Sequence, residues 1–244
     1  MSERLQKVLA GQGLASRREI EKWIVAGRIT INGQPAVLGD RIDLTESICV
    51  DGKKVNLSSA SKLTRIIIYN KPVGEVSTRD DPDGRKTIFN RLPIKKGERW
   101  ISVGRLDINT SGLMIFTNNG ELANCLMHPS SNIEREYAVR VNGEVSDESL
   151  RILKEGVLLD DEIVRFSDIQ KGRNSTGKNQ WYYVVLMEGK NREVRRLWES
   201  QGHQVSRLKR VRFGDLFMPS TLKIGRYLEM SPSEVLSFTK KYKK

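Results

Sequence analysis

The spacing of apolar residues changes along the chain and divides it into two parts. In the first part, apolar positions follow the period of two short helices and then that of short strands. Ser16 precedes the second helix, and Glu19 three residues later completes a capping box. Asn32-Gly33 and a later Asp-Gly pair separate short apolar runs, a pattern typical of hairpins with type I′ turns. Residues 1–57 are therefore predicted to form a small module of two helices and short strands.

The polar segment 58–64 is predicted to be a flexible linker, and strand-like and helix-like patterns alternate after it. This alternation lacks a repeated strand–helix–strand period. The fold class predicted for residues 65–239 is therefore α+β, with a mixed, mostly antiparallel sheet. Helices are predicted over residues 87–92, 121–127, 146–154 and 192–200, and the strand over 205–213 is the last element predicted. Residues 240–244 are predicted to be a disordered basic tail.

One stretch of the second part places a carboxylate between two apolar runs. The residues from Gly104 to Leu113 read Gly-Arg-Leu-Asp-Ile-Asn-Thr-Ser-Gly-Leu, with apolar residues on either side. The pattern predicts a strand, a tight loop and a second strand. Loops between rigid strands commonly carry reactive groups, so Asp107 is the first candidate for chemistry. An aspartate in a turn is more often a backbone cap, and this residue alone does not decide between the two roles.

The chain is strongly basic, and the charge is concentrated near its end. Its 244 residues carry a formal net charge of +12, and the isoelectric point is about 9.8. Residues 190–212 contain eight basic and two acidic side chains, which is half of that net charge. On the strand predicted there, Arg207 and Lys209 share one face while Arg210 and Arg212 share the other. A basic excess of this kind favours a polyanionic partner, namely RNA, DNA or an anionic membrane, over a merely solvated surface.

Residue types and motifs that are missing exclude several classes of protein. No apolar run approaches the ~20 residues that cross a bilayer, and the N-terminus lacks the apolar core of a secretory signal. Two cysteines and two histidines in no ligand spacing argue against a metal site, and unpaired cysteines fit a reducing cytoplasm. The phosphate-binding and dinucleotide-binding glycine motifs are absent, so no nucleotide cofactor is expected. Nothing in the sequence specifies an oligomer, which leaves a monomer as the default expectation.

The first module resembles a known RNA-binding domain. Arg4–Leu9, Ser16–Glu21 and Gly27–Gly33 carry motifs that are similar, in order, to those of the S-four-like RNA-binding domain. The resemblance implies structured RNA as the partner, rather than DNA or a membrane. Arg17 and Arg18 lie in the first turn of the second predicted helix, where a helix N-terminus and arginines together suit phosphate binding.

Four motifs of the second part are similar, in content and order, to those of the RsuA/RluB-type pseudouridine synthases. They are Asn70-Lys71-Pro72-x-Gly74, the stretch around Asp107, Glu134–Val139 and Glu188–Leu197. The resemblance implies isomerisation of uridine to pseudouridine in ribosomal RNA without a cofactor, since the reaction requires no net redox change or group transfer. The strings that follow residues 120 and 192 are most similar to relatives that modify large-subunit (23S) rRNA. A small-subunit target and a non-catalytic, rRNA-binding ribosome-assembly factor remain the alternatives.

The same resemblance implies roles for individual residues. Asp107 would attack the uridine nucleotide, at C1′ of the ribose or as a base at C2′, and Tyr137 would stack on the flipped base. Arg195 would pair with Asp107 and hold it ionised, and Arg105 would enter the RNA where the uridine leaves the stack. Further RNA contacts are expected from Lys71, Lys190, Arg192 and Arg196.

Overall fold

The structure is a computed structural model that describes residues 2–57, 63–93, 98–172 and 179–242. The chain divides into two compact units. The first unit comprises Met1–Arg65, Pro93–Ile101 and Asn118–Gly120, and the second comprises Ile66–Leu92, Ser102–Thr117 and Glu121–Lys244. Most of the predicted linker, residues 58–62, lies outside the described residues. No helix within the described ranges combines the length and the apolar character that a membrane crossing needs.

The N-terminal elements follow the order that the apolar spacing predicted. They are β1 (Glu3–Arg4), α1 (Leu5–Gly11), α2 (Arg17–Val25), β2 (Ile29–Ile31), β3 (Gln34–Pro35), β4 (Arg41–Ile42), β5 (Ile48–Val50) and β6 (Lys53–Lys54). Strands β3, β2, β5 and β6 form an antiparallel sheet in that order, and β1 pairs with β4. Helices and sheet enclose a small apolar core that includes Leu5, Leu9, Ile20, Ile24 and Ile29.

Short local signals in this module are confirmed by its hydrogen bonds and backbone angles. The backbone N–H of Glu19 donates to Ser16 Oγ at 3.1 Å, so Ser16 is the N-cap of α2. Asn32 and Gly33 have φ values of 50° and 83°, and the two residues join β2 to β3. A type I′ turn requires positive φ at both central positions, which explains the Asn-Gly pair.

The remaining elements alternate between strands and helices. They are β7 (Ile66–Lys71), β8 (Ile101–Ser102), β9 (Ser111–Thr117), α3 (Gly120–Met127), β10 (Arg135–Asn142), α4 (Asp147–Glu155), β11 (Val157–Leu159), β12 (Glu162–Val164), β13 (Asp168–Lys171), β14 (Asn179–Leu186), α5 (Glu193–Ser200), β15 (Val205–Phe213), β16 (Leu216–Phe217), β17 (Tyr227–Glu229) and α6 (Pro232–Tyr242). One 3-10 turn covers Pro129–Ser131. Strand β15 has the bounds that the sequence predicted.

A single mixed sheet organises the second unit. Its strands lie in the order β13-β14-β10-β15-β9-β7-β17, and the β15–β9 pair alone is parallel along this path through the described strands. The predicted α+β class with a mostly antiparallel sheet is therefore confirmed. At the parallel pair, a Cβ on Gly112 would lie 2.2 Å from the carbonyl oxygen of Arg210, so only glycine allows this approach.

Three predictions about this unit are wrong, and each error has a local cause. Residues 87–92 form turns instead of a helix, because Asn90 Oδ1 accepts from the Thr87 backbone N–H at 2.6 Å and from its hydroxyl at 2.9 Å. Strands β16 and β17 and helix α6 follow β15, which was expected to be the last element. Lys240 and Lys241 belong to α6 rather than to a disordered tail, and residues 243–244 lie outside the described residues.

The fourth wrong prediction concerns the faces of β15. The register of β10 against β15 shifts between Glu136 and Tyr137, so that Arg212 lies opposite Glu136 while Arg210 lies opposite Tyr137. Neighbouring residues of a strand face opposite sides of a sheet. Arg210 and Arg212 therefore lie on opposite faces, because a β-bulge at Val211 interrupts the alternation.

Candidate active site

Asp107 lies in the loop that precedes β9, and hydrogen bonds fix the backbone of that loop. The N–H of Thr110 donates to the carbonyl oxygen of Asp107 at 3.0 Å and closes a turn. The N–H of Gly74 donates to the carbonyl oxygen of Ile108 at 2.9 Å. Ser77 Oγ accepts from the N–H of Leu106 at 3.1 Å. The backbone on both sides of Asp107 is thus held to the segment that follows β7.

Lys71 anchors the same loop from inside the protein. Its fully buried ammonium donates to the carbonyl oxygens of Pro72 at 3.0 Å, Asp107 at 3.1 Å and Thr110 at 2.8 Å. Burial lowers the pKa of Lys71 to about 8, while the negative charges of Glu75 and Asp107 act in the opposite direction. The predicted RNA contact of Lys71 is wrong, since a side chain without exposed surface cannot reach a phosphate. The lysine instead builds the loop.

Arg195 on α5 reaches the loop from another direction. Its guanidinium donates through Nη1 to the carbonyl oxygen of Val205 at 2.8 Å and through Nη2 to that of Asn109 at 3.0 Å. Burial and the neighbouring charge of Arg192 lower the pKa of Arg195, and Asp107 counteracts them. The direct pair of Arg195 with Asp107 that the resemblance implied is not among the contacts of the described residues. Arg195 thus holds the loop through Asn109 and acts on Asp107 through its charge.

The loop opens into a cleft of about 860 Å³. Arg105, Asp107 and Tyr137 line this cleft together, although they come from different parts of the sequence. Asp107 is half-buried, and its carboxylate makes no hydrogen bond or ion pair with any of the described residues. Tyr137 is 7 % exposed and lies on β10. An open carboxylate next to an aromatic ring suits a planar substrate that is attacked from one side.

Two buried arginines of the cleft were not predicted as site residues. Arg210 is 2 % exposed, and its Nε donates to the carbonyl oxygen of Leu113 at 2.7 Å. Arg135 donates through Nη1 to the carbonyl oxygen of Met187 at 2.7 Å, and burial lowers its pKa. Both guanidinium groups lie over the ring of Phe213, at 5.2 Å for Arg135 and 5.5 Å for Arg210. In the sequence, they were indistinguishable from the other members of the basic cluster.

The cations of α5 and its preceding loop lie close to carboxylates. Lys190 pairs with Glu162 and with Glu188, the latter at 2.9 Å, and these hydrogen bonds raise its pKa. Arg196 pairs with Asp160 at 2.7 Å. Both side chains keep about a third of their surface exposed. Their contacts with RNA, and that of Arg192, which is 3.4 Å from Glu199, stay predictions.

The arginines expected to meet RNA elsewhere are exposed. Arg17 and Arg18 lie in the first turn of α2, directly after the capping residue. Arg105 is exposed at the mouth of the cleft. None of the three side chains has an ion-pair partner in the part of the chain that the structure describes. In the same part of the chain, no group of three or more His, Cys, Asp or Glu residues is arranged to hold a metal ion.

A basic helical module and a mixed-sheet domain whose cleft holds one open carboxylate define a class of two-part, RNA-directed proteins. Comparison with known families specifies it further. Residues 3–46 match the S4 domain, and residues 65–200 match the RNA pseudouridylate synthase family. The chain belongs to the RNA pseudouridylate synthase family.

Curated relatives agree with this family. The chain is 57 % identical over 236 residues to ribosomal large subunit pseudouridine synthase B of Pseudomonas aeruginosa, covering 96 % of this chain and 61 % of that protein. It is 55 % identical over 233 residues to the protein of the same name from Escherichia coli strain K12, covering 94 % and 80 %. The chain thus spans less than two thirds of the Pseudomonas relative. A crystal structure of a pseudouridylate synthase shares the fold, with a TM-score of 0.66 and 24 % identity over 96 % of this chain and 98 % of that one.

Proposed function

We propose that this protein isomerises uridine to pseudouridine in large-subunit ribosomal RNA, and that Asp107 is the group that attacks the nucleotide. The observation that carries the proposal is the open carboxylate of Asp107 in the cleft, on a loop whose backbone is fixed by Lys71 and Arg195. Family membership supports the reaction class. The names of the curated relatives support the large ribosomal subunit as the source of the substrate.

The proposed reaction rearranges one nucleotide without a net gain or loss of atoms. Asp107 acts at C1′ of the ribose as a nucleophile, or at C2′ as a base, and the bond from C1′ to N1 of uracil breaks. The uracil turns in the cleft, a bond from C1′ to C5 forms, and the proton on C5 leaves. No electron acceptor or group donor enters this balance, so the chemistry requires no cofactor.

The neighbours of Asp107 have separate proposed tasks. Tyr137 supplies an aromatic surface for the extruded uracil, and its hydroxyl is placed to assist the proton transfer at C5. Arg105 is exposed at the cleft mouth, where it occupies the space that the uridine vacates in the RNA stack. Lys71 and Arg195 keep positive charge near the carboxylate, which favours its ionised form.

The test is tritium release from large-subunit rRNA labelled with [5-³H]uridine. Asp107→Asn keeps the shape of the side chain and removes its charge, and we expect the rate to fall about 10³-fold or more. Asp161→Asn is the matched control, because Asp161 is exposed and has a φ of 63° that asparagine also adopts. Release by the Asp107 variant at the rate of the control would show that the protein binds rRNA without this chemistry.

A further inference from the structure

The sheet face opposite the cleft carries basic and aromatic side chains in adjoining cross-strand rows. We call this surface the cationic face and define it as Arg140 on β10, Trp181 and Tyr183 on β14, and Arg207 and Lys209 on β15. Arg140 lies between Trp181 and Arg207 in the strand register. In the next row, Ala138 lies between Tyr183 and Lys209. Neighbouring strands are about 4.8 Å apart, so the five side chains form one compact patch.

Strand alternation separates this face from the catalytic cleft. Tyr137, Leu186, Leu208 and Arg210 line the cleft, and each is next in sequence or two places away along the same strand from residues of the opposite side. The register is regular from Tyr137 to Arg140, so Arg140 and Tyr137 face opposite sides. Tyr182 packs its ring 5.1 Å from Trp198 of α5 on the cleft side. Its neighbour Tyr183 is 43 % exposed on the other side.

The cations of this face lack the carboxylate partners that other basic residues of the sheet domain have. Arg140, Arg207 and Lys209 make no side-chain hydrogen bond or ion pair within the described ranges. Acidic residues are present on the same side, but they are already engaged. Glu136 accepts from Arg212 at 2.7 Å, and Asp168 pairs with Lys154 at 3.2 Å.

The register makes this arrangement unfavourable in the free protein. Arg140 and Arg207 lie directly opposite each other, and like charges in a cross-strand pair destabilise a sheet. An external anion removes that repulsion when it binds between them. The exposed ring of Tyr183 adds a surface on which a base can stack. Phosphates and unpaired bases occur together in RNA, whereas an acidic peptide would use the cations alone.

We propose that the cationic face is a second RNA-binding surface, which holds a segment of the substrate rRNA away from the target nucleotide. The proposal rests on the proposed function for the identity of the RNA. It assigns the contacts as phosphate binding by Arg140, Arg207 and Lys209, and base stacking on Tyr183. The surface would increase affinity for a long, structured RNA without taking part in the chemistry of the cleft.

The test compares two triple variants that lose the same charge. Arg140→Gln, Arg207→Gln and Lys209→Gln are combined in one protein. Lys223→Gln, Arg226→Gln and Lys240→Gln are combined in the control, since these three residues are exposed on other parts of the domain. Binding to a large-subunit rRNA transcript is measured by filter retention over a series of salt concentrations. Both triples also carry Asp107→Asn, as does the reference protein, so that turnover does not alter the RNA.

The first triple is expected to make the plot of log affinity against log salt shallower by about 2, because each cation contributes about 0.7 for single-stranded RNA. The control is expected to keep the slope of the reference. Tyr183→Ala should weaken binding about fivefold, while Tyr183→Phe keeps the ring and the affinity. An unchanged slope in the first triple, or an equal change in the control, would overturn the proposal. Because the readout is binding, a failure of the Asp107 assignment in the tritium assay leaves this result interpretable.

Discussion

Cations beneath the Asp107 loop and cations on α5 are the same types of residue in opposite environments. Lys71 and Arg195 are buried and donate to backbone carbonyl oxygens. Lys190 and Arg196 are partly exposed and pair with carboxylates. Removing a buried donor leaves carbonyl groups without a partner, whereas removing an exposed one only returns a carboxylate to water. The comparison teaches that a count of basic residues does not separate the cations that build a site from those able to meet RNA.

The sharpest way to break the comparison is Lys71→Met. Methionine fills a similar volume but leaves three buried carbonyl oxygens without their shared donor. We expect the free energy of unfolding to fall by about 3 kcal/mol, measured by urea denaturation. The rate of tritium release should fall about 10²-fold, because the loop that carries Asp107 loses its anchor.

Lys86→Met is the matched control for that substitution. Lys86 is an exposed lysine of the same unit, and its side chain has no hydrogen-bond or ion-pair partner among the described residues. The midpoint of thermal unfolding should change by less than about 2 °C, and the activity should be that of the wild type. If Lys71→Met were as stable and active as this control, Lys71 would not be the anchor of the loop.

A smaller effect is expected from pH, and it sharpens the role of the same lysine. The pKa of Lys71 is about 8 in the folded protein and about 10.5 in the unfolded chain. Between these values the unfolded chain binds more protons, so the contribution of Lys71 to the free energy of unfolding rises with pH. The ammonium nevertheless loses a donated proton and its charge near Asp107. We therefore expect the rate of tritium release to fall as the pH rises through about 8.

That decline should depend on Lys71. The rates are measured on both sides of pH 8 for the wild type and for Lys71→Met. The variant has no group that titrates at this position, so its lower rate should lack the alkaline decline. Parallel profiles of the two proteins would assign the decline to another group.

The smallest effects are expected from the exposed cations. Combining Lys190→Gln with Arg196→Gln should shift the midpoint of thermal unfolding by less than about 2 °C, since surface ion pairs contribute little to stability. Affinity for rRNA should fall, and the salt dependence should become shallower by about 0.7 for each cation removed. Arg151→Gln is the control, because Arg151 on α4 also pairs with two carboxylates, Glu148 at 2.6 Å and Glu155 at 2.8 Å. An equal loss of affinity in the control would argue against RNA contacts at α5.

Elements with strong local signals were predicted well, and those without them were missed. The N-caps Ser16 and Ser146 accept from the backbone as their positions indicated. Strand β17 carries no such signal, since its three residues are all exposed. It becomes a strand because Tyr227–Glu229 pairs with β7, more than 150 residues earlier in the chain. Pairing of that kind depends on where the sheet already lies, and a local pattern cannot report it.

The candidate site divides in the same way. The motif around Asp107 and the strand of Tyr137 could be recognised from the sequence, and the structure brings both to one cleft. The contacts of Arg195 could not, because its partners are backbone carbonyl groups 10 and 86 positions away. The direct pair with Asp107 was a reasonable expectation for two opposite charges, but geometry gave the guanidinium to Asn109 instead.

By itself, the sequence determined the order of the two parts, the loop that presents Asp107, the tight turns and the basic excess. These depend on residues close together in the chain, whose propensities act locally. Only the tertiary structure decided which cations are buried and which face each side of the sheet. Lys71 and Arg210 are fixed by carbonyl groups 39 and 97 positions away. The bulge at Val211 turns Arg210 and Arg212 to opposite faces, because it depends on the register against another strand.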